Sequence, residues 1–361
     1  MHISEIDTPA IVINLDVMER NLRRMSEYTA AHNLRLRPHT KTHKIPALGR
    51  QQLSLGAVGL TVAKVSEAEV MLTSGVEELL IAYPMVGTPK LARAVEVARK
   101  TRLTVSVDSL EAAQGISAAA AQAGVTIHLL AEMDVGLGRV GVLPGVEAVE
   151  LAKGIAALPG VDFEGLAFYP GHIKDWAANG AEKMAAISAV VSETLSQLHA
   201  AGLEARVVSG GSTPTEWHAH EVKGMNEVRP GTYIFNDRNT VLCGACTMED
   251  CAATILATVV STSVKGQFII DGGSKTFSSD KSAEPGHGIV LQAPEADFGK
   301  MNEEHGMVTL PGARDRFKVG DRVNILPNHI CVAINLHERV YGVRGETVEQ
   351  IWEVAGRGKL Q

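Results

Sequence analysis

Eight short apolar runs, rich in β-branched residues, recur between residues 34 and 237, and most are followed by an Ala-rich stretch whose apolar residues fall three and four apart. Runs of that kind read as buried strands, and the three-and-four spacing is the mark of one helix face. The expected strands occupy residues 34–41, 58–64, 78–84, 102–109, 126–134, 163–172, 205–213 and 227–237. Eight strands alternating with helices predict an α/β fold, a closed (β/α)8 TIM barrel of about 200 to 250 residues. An open doubly wound sheet is the competing architecture.

The register of polar residues favours the barrel. Each run starts apolar and finishes on a chemically able side chain: Lys41, Lys64, Tyr83, Asp108, Asp134 with Arg139 just beyond, Tyr169 with His172, Ser212 and Thr213, then Thr232 and Tyr233. Barrel enzymes gather their active sites at the C-terminal ends of the strands. After about residue 240 the pattern becomes strand without helix, in "AATILATVVSTSVKGQFIIDGG", "GMVTL", "DRVNILPN", "ICVAINLH" and "RVYGVRG", punctuated by Gly, Asp and Asn turns. The expected division is a barrel over residues 1–240 and a C-terminal antiparallel β domain over 241–361, with no linker between them. Whether the first residues join the β domain instead is left open.

Composition narrows the partner. A length of 361 residues suffices for two cores, and a net charge of −7 with no basic stripe argues against nucleic acid, whose phosphates demand Lys and Arg. A small molecule is expected instead. The opening "MHISEIDTPAIVINLD" has neither the regions of a signal peptide nor an apolar membrane span, so no membrane partner and a cytoplasmic location are expected. Four cysteines, Cys243, Cys246, Cys251 and Cys331, are too few for a disulfide framework. The "CGAC" pair with Cys251 suggests zinc or redox chemistry, but no fourth ligand follows at finger-like spacing.

Two glycine-rich strings point to phosphate. "VVSGGSTPT" (207–215) ends the seventh strand and "RPGTY" (229–233) lies in the eighth. Glycines let backbone N–H groups approach an anion, and barrels build phosphate sites from the loops after strands seven and eight. A phosphorylated substrate and pyridoxal phosphate both fit, and Lys41 decides for the cofactor. A lysine in a barrel mouth, partly desolvated and flanked by cations, has the lowered pKa that a Schiff base needs. Lys44 is the weaker candidate because it already precedes the helix "IPALGRQQL".

"RPHTKTHK", "EMDVGLGRVGV", "FYPGH", "SGGSTPT", "NEVRPGTYIFND" and "PNHICVAINL", in that order across nearly the whole chain, resemble the D-threonine aldolase and D-serine dehydratase family, fold-type III pyridoxal phosphate enzymes with an alanine racemase-like barrel. The resemblance implies that Lys41 is the Schiff-base lysine, that Arg139 contacts the cofactor ring, that Tyr169 stands beside the imine, and that Ser212, Thr213, Gly231, Thr232 and Tyr233 hold the phosphate. It also implies a divalent metal in the β domain on His329 and Cys331, which would share a face if spaced by two along a strand. A thiolate ligand favours zinc over manganese or magnesium.

The family's two activities divide the reading. Its implied substrates are β-hydroxy-D-amino acids. Cleavage to glycine and an aldehyde, as a D-threonine aldolase performs with His172 or metal-bound hydroxide as base, comes first on overall likeness. Dehydration of D-serine or D-threo-3-hydroxyaspartate to a 2-oxo acid and ammonia is the alternative. The family's aldolases carry aspartate where Cys331 stands and a histidine where Asp175 stands, whereas its dehydratases share the His-x-Cys pair. A racemase is disfavoured because it needs no metal pair, and a non-catalytic pyridoxal phosphate carrier because it lacks a β domain. The resemblance further implies a homodimer.

Overall fold

A computed structural model describes residues 1–361. The chain opens with β1 (Ala10–Asn14) and a helix over Leu15–Ala31, then lays down β2 (Arg35–Leu36), β3 (Leu60–Val62), β4 (Glu78–Ile81), β5 (Arg102–Val107), β6 (Ile127–Met133), β7 (Val161–Phe168), β8 (Val207–Gly210) and β9 (Glu227–Val228). Each of these last eight lies at one of the expected runs. All pair in parallel, in the order β2-β9-β8-β7-β6-β5-β4-β3, as one curled sheet.

The closed ladder expected of a (β/α)8 barrel is not completed. Between β2 and β3 the sheet stays open, joined by a single parallel bridge, His39 to Thr61, and by the Val58 and Thr61 N–H groups donating to the Leu36 and Pro38 carbonyls, each at 2.9 Å. The reason is local. β2 is only two residues long, Pro38 has no N–H to extend a ladder, and Thr40–Thr42 winds at once into a 3-10 turn.

The connecting helices form where caps and apolar faces coincide. In Leu110–Ala123 the Ser109 side chain accepts from the Ala112 N–H, and Ala112, Ala113, Ile116, Ser117 and Ala120 are buried along one face. The helix stops at Gly124, whose φ of 67° ends the turn without steric cost.

The concave face of the sheet is layered. Thr104 and Ser106 share it with His128, Leu130 and Glu132, because Thr104 pairs with His128 and Ser106 with Leu130. Leu80, Leu130, Ala167 and Val207 make an apolar layer. Polar residues bond among themselves on either side: Thr104 donates to Glu164 at 2.9 Å, Ser106 to Glu132 at 2.7 Å, and Ser209 to Glu227 at 2.7 Å. Arg37, nearly buried, meets Glu227 at 2.8 Å and Glu78 at 2.7 Å. Burial works against its charge, and the two carboxylates outweigh that.

The remaining strands are β10 (Ala253–Ser261), β11 (Gln267–Ile270), β12 (Gly288–Val290), β13 (Asp297–Met301), β14 (Gly306–Thr309), β15 (Arg322–Pro327), β16 (Arg339–Arg344) and β17 (Thr347–Glu353). They form a second sheet with β1 in it, antiparallel to β10 and parallel to β16. Ile11 and Ile13 of β1 are wholly buried, each contributing about 1.5 to 3 kcal/mol. Val12 packs with Ile6, Ala10, Leu256, Val343 and Val348. The compact units are accordingly Met1–Arg23, Thr42–Ile45 and Thr232–Gly358 for the β unit, and Arg24–Lys41, Pro46–Gly231 and Lys359–Gln361 for the parallel unit. No helix is long and apolar enough to cross a membrane.

One expected strand is a helix. "ICVAINLH" forms Ile330–Leu336, entered from His329, with Ile330, Ala333 and Ile334 buried. Those three are spaced by three and four, which is a helical face and cannot alternate across a sheet.

Candidate functional site

Within the parallel unit, the strand ends carry the residues singled out from the sequence. Lys41 lies in the 3-10 turn Thr40–Thr42, where its N–H donates to His39 Nδ1 at 3.4 Å. The residue is exposed. Lys44 is buried in the β unit and donates through Nζ to Asn335 Oδ1 at 2.8 Å, which makes it a packing residue there. Lys64 precedes the helix Val65–Met71 and sets Nζ 3.4 Å from the centre of the Tyr83 ring.

Arg139 and Tyr169 come together, the guanidinium 4.9 Å from the ring centre. Asp134 does not hold Arg139 in an ion pair. Its carboxylate instead accepts the N–H groups of Gly136, Leu137 and Gly138 at 2.9 to 3.1 Å. Burial raises the Asp134 carboxyl, but the three amides outweigh it and hold the group below its ordinary value.

This turn makes a seat for His172. Gly136 has φ 122°, and a Cβ there would lie 3.2 Å from the His172 ring, so the close approach requires glycine. His172 Nδ1 is buried with no hydrogen-bond partner. Burial lowers the imidazole pKa, the Lys183 charge adds to this, and Asp134 opposes it. The ring therefore favours its neutral form, with a nitrogen able to accept a proton. Asp175 accepts from the Ala178 N–H and caps the helix Trp176–Ala200.

Ser212, Thr213 and Gly231 also gather. The two hydroxyl residues are buried, the Gly231 N–H donates to Thr213 Oγ1 at 3.3 Å, and Ser212 Oγ lies 3.2 Å from Thr215 Oγ1. Gly211 has φ 80°, and a Cβ on it would meet Val228 at 2.6 Å, so the turn stays free of side chains. Such a cradle of hydroxyls and amides suits a phosphate. Thr232 and Tyr233 fall in the β unit instead, and Tyr233 is buried at 2% exposure.

The β unit holds the second group. His329 Nδ1 donates to Asp237 Oδ2 at 2.8 Å, and the Ile330 N–H donates to the same oxygen at 3.1 Å. A carboxylate can only accept, so Nδ1 carries a proton and Nε2 is the nitrogen left to meet a ligand once its own proton is lost. His329 and Cys331 lie near enough for each to act on the other's charge, although the segment is helical and not the strand that the spacing suggested. The Cys331 charge raises His329 well above its ordinary value despite burial. On Cys331 burial pushes upward, but His329 and the Thr42 hydroxyl, at 3.3 Å, bring the thiol down. Thr232 Oγ1 stands 3.7 Å from the same sulfur. A held imidazole beside a thiol of lowered pKa is a pair of donors that could serve a metal ion.

Asp237 was not foreseen as a functional residue. It is fully buried, and its signal was present in "NDRNT", where an aspartate precedes threonine by three at a helix start.

A family model described as "Alanine racemase, N-terminal domain" matches residues 13–239, and one described as "Putative serine dehydratase domain" matches residues 252–343. A D-threonine aldolase of Arthrobacter sp is 32% identical over 361 residues, with 99% of this chain and 94% of that protein covered. The crystal structure of D-threonine aldolase from Filomicrobium marinum superposes with a TM-score of 0.93 at 34% identity, covering 99% of this chain and 98% of that one. D-threo-3-hydroxyaspartate dehydratase from Delftia sp. HT23 gives 0.89 at 32% identity, with 98% of both chains covered. A D-threo-3-hydroxyaspartate dehydratase with one cysteine changed to alanine, solved in a metal-free form, also gives 0.89, at 31% identity and 98% of each chain.

Proposed function

This chain belongs to the fold-type III pyridoxal phosphate family of D-threonine aldolases and D-serine dehydratases, with an alanine racemase-like N-terminal domain, and from that premise we propose that it is a lyase of β-hydroxy-D-amino acids that also uses a divalent metal. The observation that carries the metal is the His329 and Cys331 pair with Nδ1 held by Asp237. We place the enzyme in the cytoplasm as a homodimer.

Pyridoxal phosphate, when bound, absorbs the electron pair of one bond broken at Cα. Lys41 would hold it through its amine, with Ser212, Thr213, Gly231, Thr232 and Tyr233 around the phosphate and Arg139 and Tyr169 against the ring. His329 and Cys331 would hold zinc, with manganese the second choice, and the ion would polarise the substrate's β-hydroxyl. His172, favoured neutral, would take the hydroxyl proton, which frees an aldehyde and leaves glycine. D-Threonine aldolase is therefore the first reading.

A second reading has its own observation. Cys331 is a soft donor, the pattern of the family's dehydratases, and Asp175 is occupied as a helix cap. There Lys41 would take the α-proton, and the products would be a 2-oxo acid and ammonia. The choice depends on which Cα bond stands perpendicular to the cofactor ring. Purified protein given D-threonine, D-serine and D-threo-3-hydroxyaspartate, with and without metal, should release glycine and aldehyde in the first case and oxo acid with ammonia in the second. Racemised product alone would refute both. Lys41→Ala should lose the visible absorption of lysine-bound cofactor with the fold intact, and an unchanged spectrum would overturn that assignment.

A further inference from the structure

Three cysteines stay outside the proposed chemistry, and all lie around the short helix Arg238–Leu242 that begins at Asp237. The Cys243 thiol donates to the Thr240 carbonyl at 3.2 Å and Cys246 to Thr240 Oγ1 at 3.5 Å, while the Cys251 thiol is shared between the Thr247 carbonyl at 3.7 Å and the Asp237 carbonyl at 3.9 Å. Cys246 and Cys251 stand near enough to influence each other's protonation, and both reach the same Asp237–Thr240 turn. Cys243 is buried, whereas these two are half-buried at the ends of a loop whose Thr247, Met248 and Glu249 are exposed. The Thr247 N–H donates to Asp250 Oδ2 at 3.0 Å, which folds the loop back and brings both thiols to neighbouring atoms of the Asp237–Thr240 turn.

The same thiols stand behind the residue that holds His329. Thr240 Oγ1 accepts from the Asp237 N–H at 2.7 Å and donates to the Asp237 carbonyl at 2.8 Å, while the Thr240 N–H donates to Asp237 Oδ1 at 2.9 Å. A continuous set of hydrogen bonds thus runs from Cys246 and Cys251 through Thr240 and Asp237 to His329 Nδ1. We propose that Cys246 and Cys251 are a redox-active dithiol, and that their conversion to a disulfide slackens the grip of Asp237 on His329 and weakens metal binding. The second half rests on the metal reading given above.

The chemistry is thiol–disulfide exchange with a low-molecular-weight disulfide. Cys246 attacks as thiolate, the small disulfide's S–S bond breaks, and one small thiolate leaves. Cys251 then gives its proton to solvent and attacks the Cys246 sulfur, expelling the second small thiolate. Two protein thiols are oxidised and one small disulfide is reduced to two thiols. Cys246 is the attacking sulfur because the interaction of the pair lowers Cys246 and raises Cys251. A disulfide draws the sulfurs to about 2.05 Å and removes both S–H donors. The Asp237 carbonyl and the Thr240 hydroxyl then each lose a partner.

The test uses the full-length protein equilibrated with graded ratios of reduced to oxidised glutathione, alkylated and mapped by peptide mass, with Zn²⁺ affinity measured in parallel against a chromogenic chelator. The expected result is a Cys246–Cys251 disulfide with Cys331 still alkylatable, and zinc bound about tenfold more weakly, the lower end of what losing an outer-shell partner costs. Cys246→Ser should keep the reduced protein's affinity and lose its response to glutathione. Absence of the disulfide at every ratio overturns the inference and leaves the metal reading standing. Unchanged zinc affinity in protein whose disulfide is mapped overturns the coupling. Zinc bound by neither form overturns the metal reading, and the coupling with it.

Discussion

Two histidines of this protein each have an aspartate close by, and the two pairs behave oppositely. Asp237 accepts from His329 Nδ1, and His329 is raised by Cys331, with Asp237 adding to the effect. Asp134 directs its oxygens to the amides of Gly136, Leu137 and Gly138, so His172 has only a distant charge to offset its burial and is lowered. Proximity of an acid is therefore not what sets a histidine's protonation. What decides is the whole set of neighbours: the Cys331 thiol comes first at His329, with Asp237 adding to it, whereas at His172 burial and the Lys183 charge outweigh Asp134.

The largest effect should come from the unbonded ring. If His172 is the proton acceptor, His172→Gln should lower kcat about 10²- to 10⁴-fold with little change in zinc content, measured by steady-state assay on D-threonine and by metal analysis. Activity retained within a few fold would remove His172 from the reaction. Next is the bonded ring: Asp237→Asn, which disrupts the acceptor at Nδ1, should weaken zinc binding about 10- to 100-fold in a competition titration. An unchanged affinity would mean that His329 needs no orienting partner.

A pH series sharpens the contrast. His172 binds its proton more weakly in the folded state than in the unfolded one, so its contribution to stability is fully present above the unfolded value, about 6.5, and is lost as pH falls below that through the folded value. Urea midpoints of the wild type should fall between pH 7.5 and 5.5 by more than those of His172→Gln, and parallel curves would contradict the assignment. The smallest effect is Gly136→Ala, which sets a Cβ at positive φ against the imidazole and should cost about 1 to 2 kcal/mol in denaturant unfolding.

Much of this was legible in the residues. The eight parallel strands announce themselves because each is an apolar run closed by a polar strand end, as in "LTVSVD" before Asp108. The edges were not. β2 shrinks to Arg35–Leu36 because Pro38 and the turn at Thr40 end its pairing, which is also why the ladder stays open there. "ICVAINLH" misled because a short apolar run fits strand and helix alike until its buried positions are known. The place of β1 beside β10 and β16 depends on partners some 240 and 330 residues away, beyond any local pattern. The site residues Ser212, Thr213 and Gly231 were readable as a glycine-hydroxyl string. Asp237 looked like any helix cap, and its bond to His329 spans 92 positions.

The layered concave face of the parallel sheet acts as an alignment code. A strand that slipped by one residue would carry its inward set to the other face, and a slip by two would bring Arg37 or Glu164 against the Leu80, Leu130, Ala167 and Val207 layer. Either error leaves a charge buried without its partner, at a cost of several kcal/mol. A purely aliphatic interior would tolerate the second kind of slip. Replacing Arg37 and Glu227 together by Met and Leu should therefore leave equilibrium stability about level while refolding becomes heterogeneous, and single-phase refolding would argue against the code. On this view the buried ions add little net stability, and their service is to let only one stacking of eight similar strands survive.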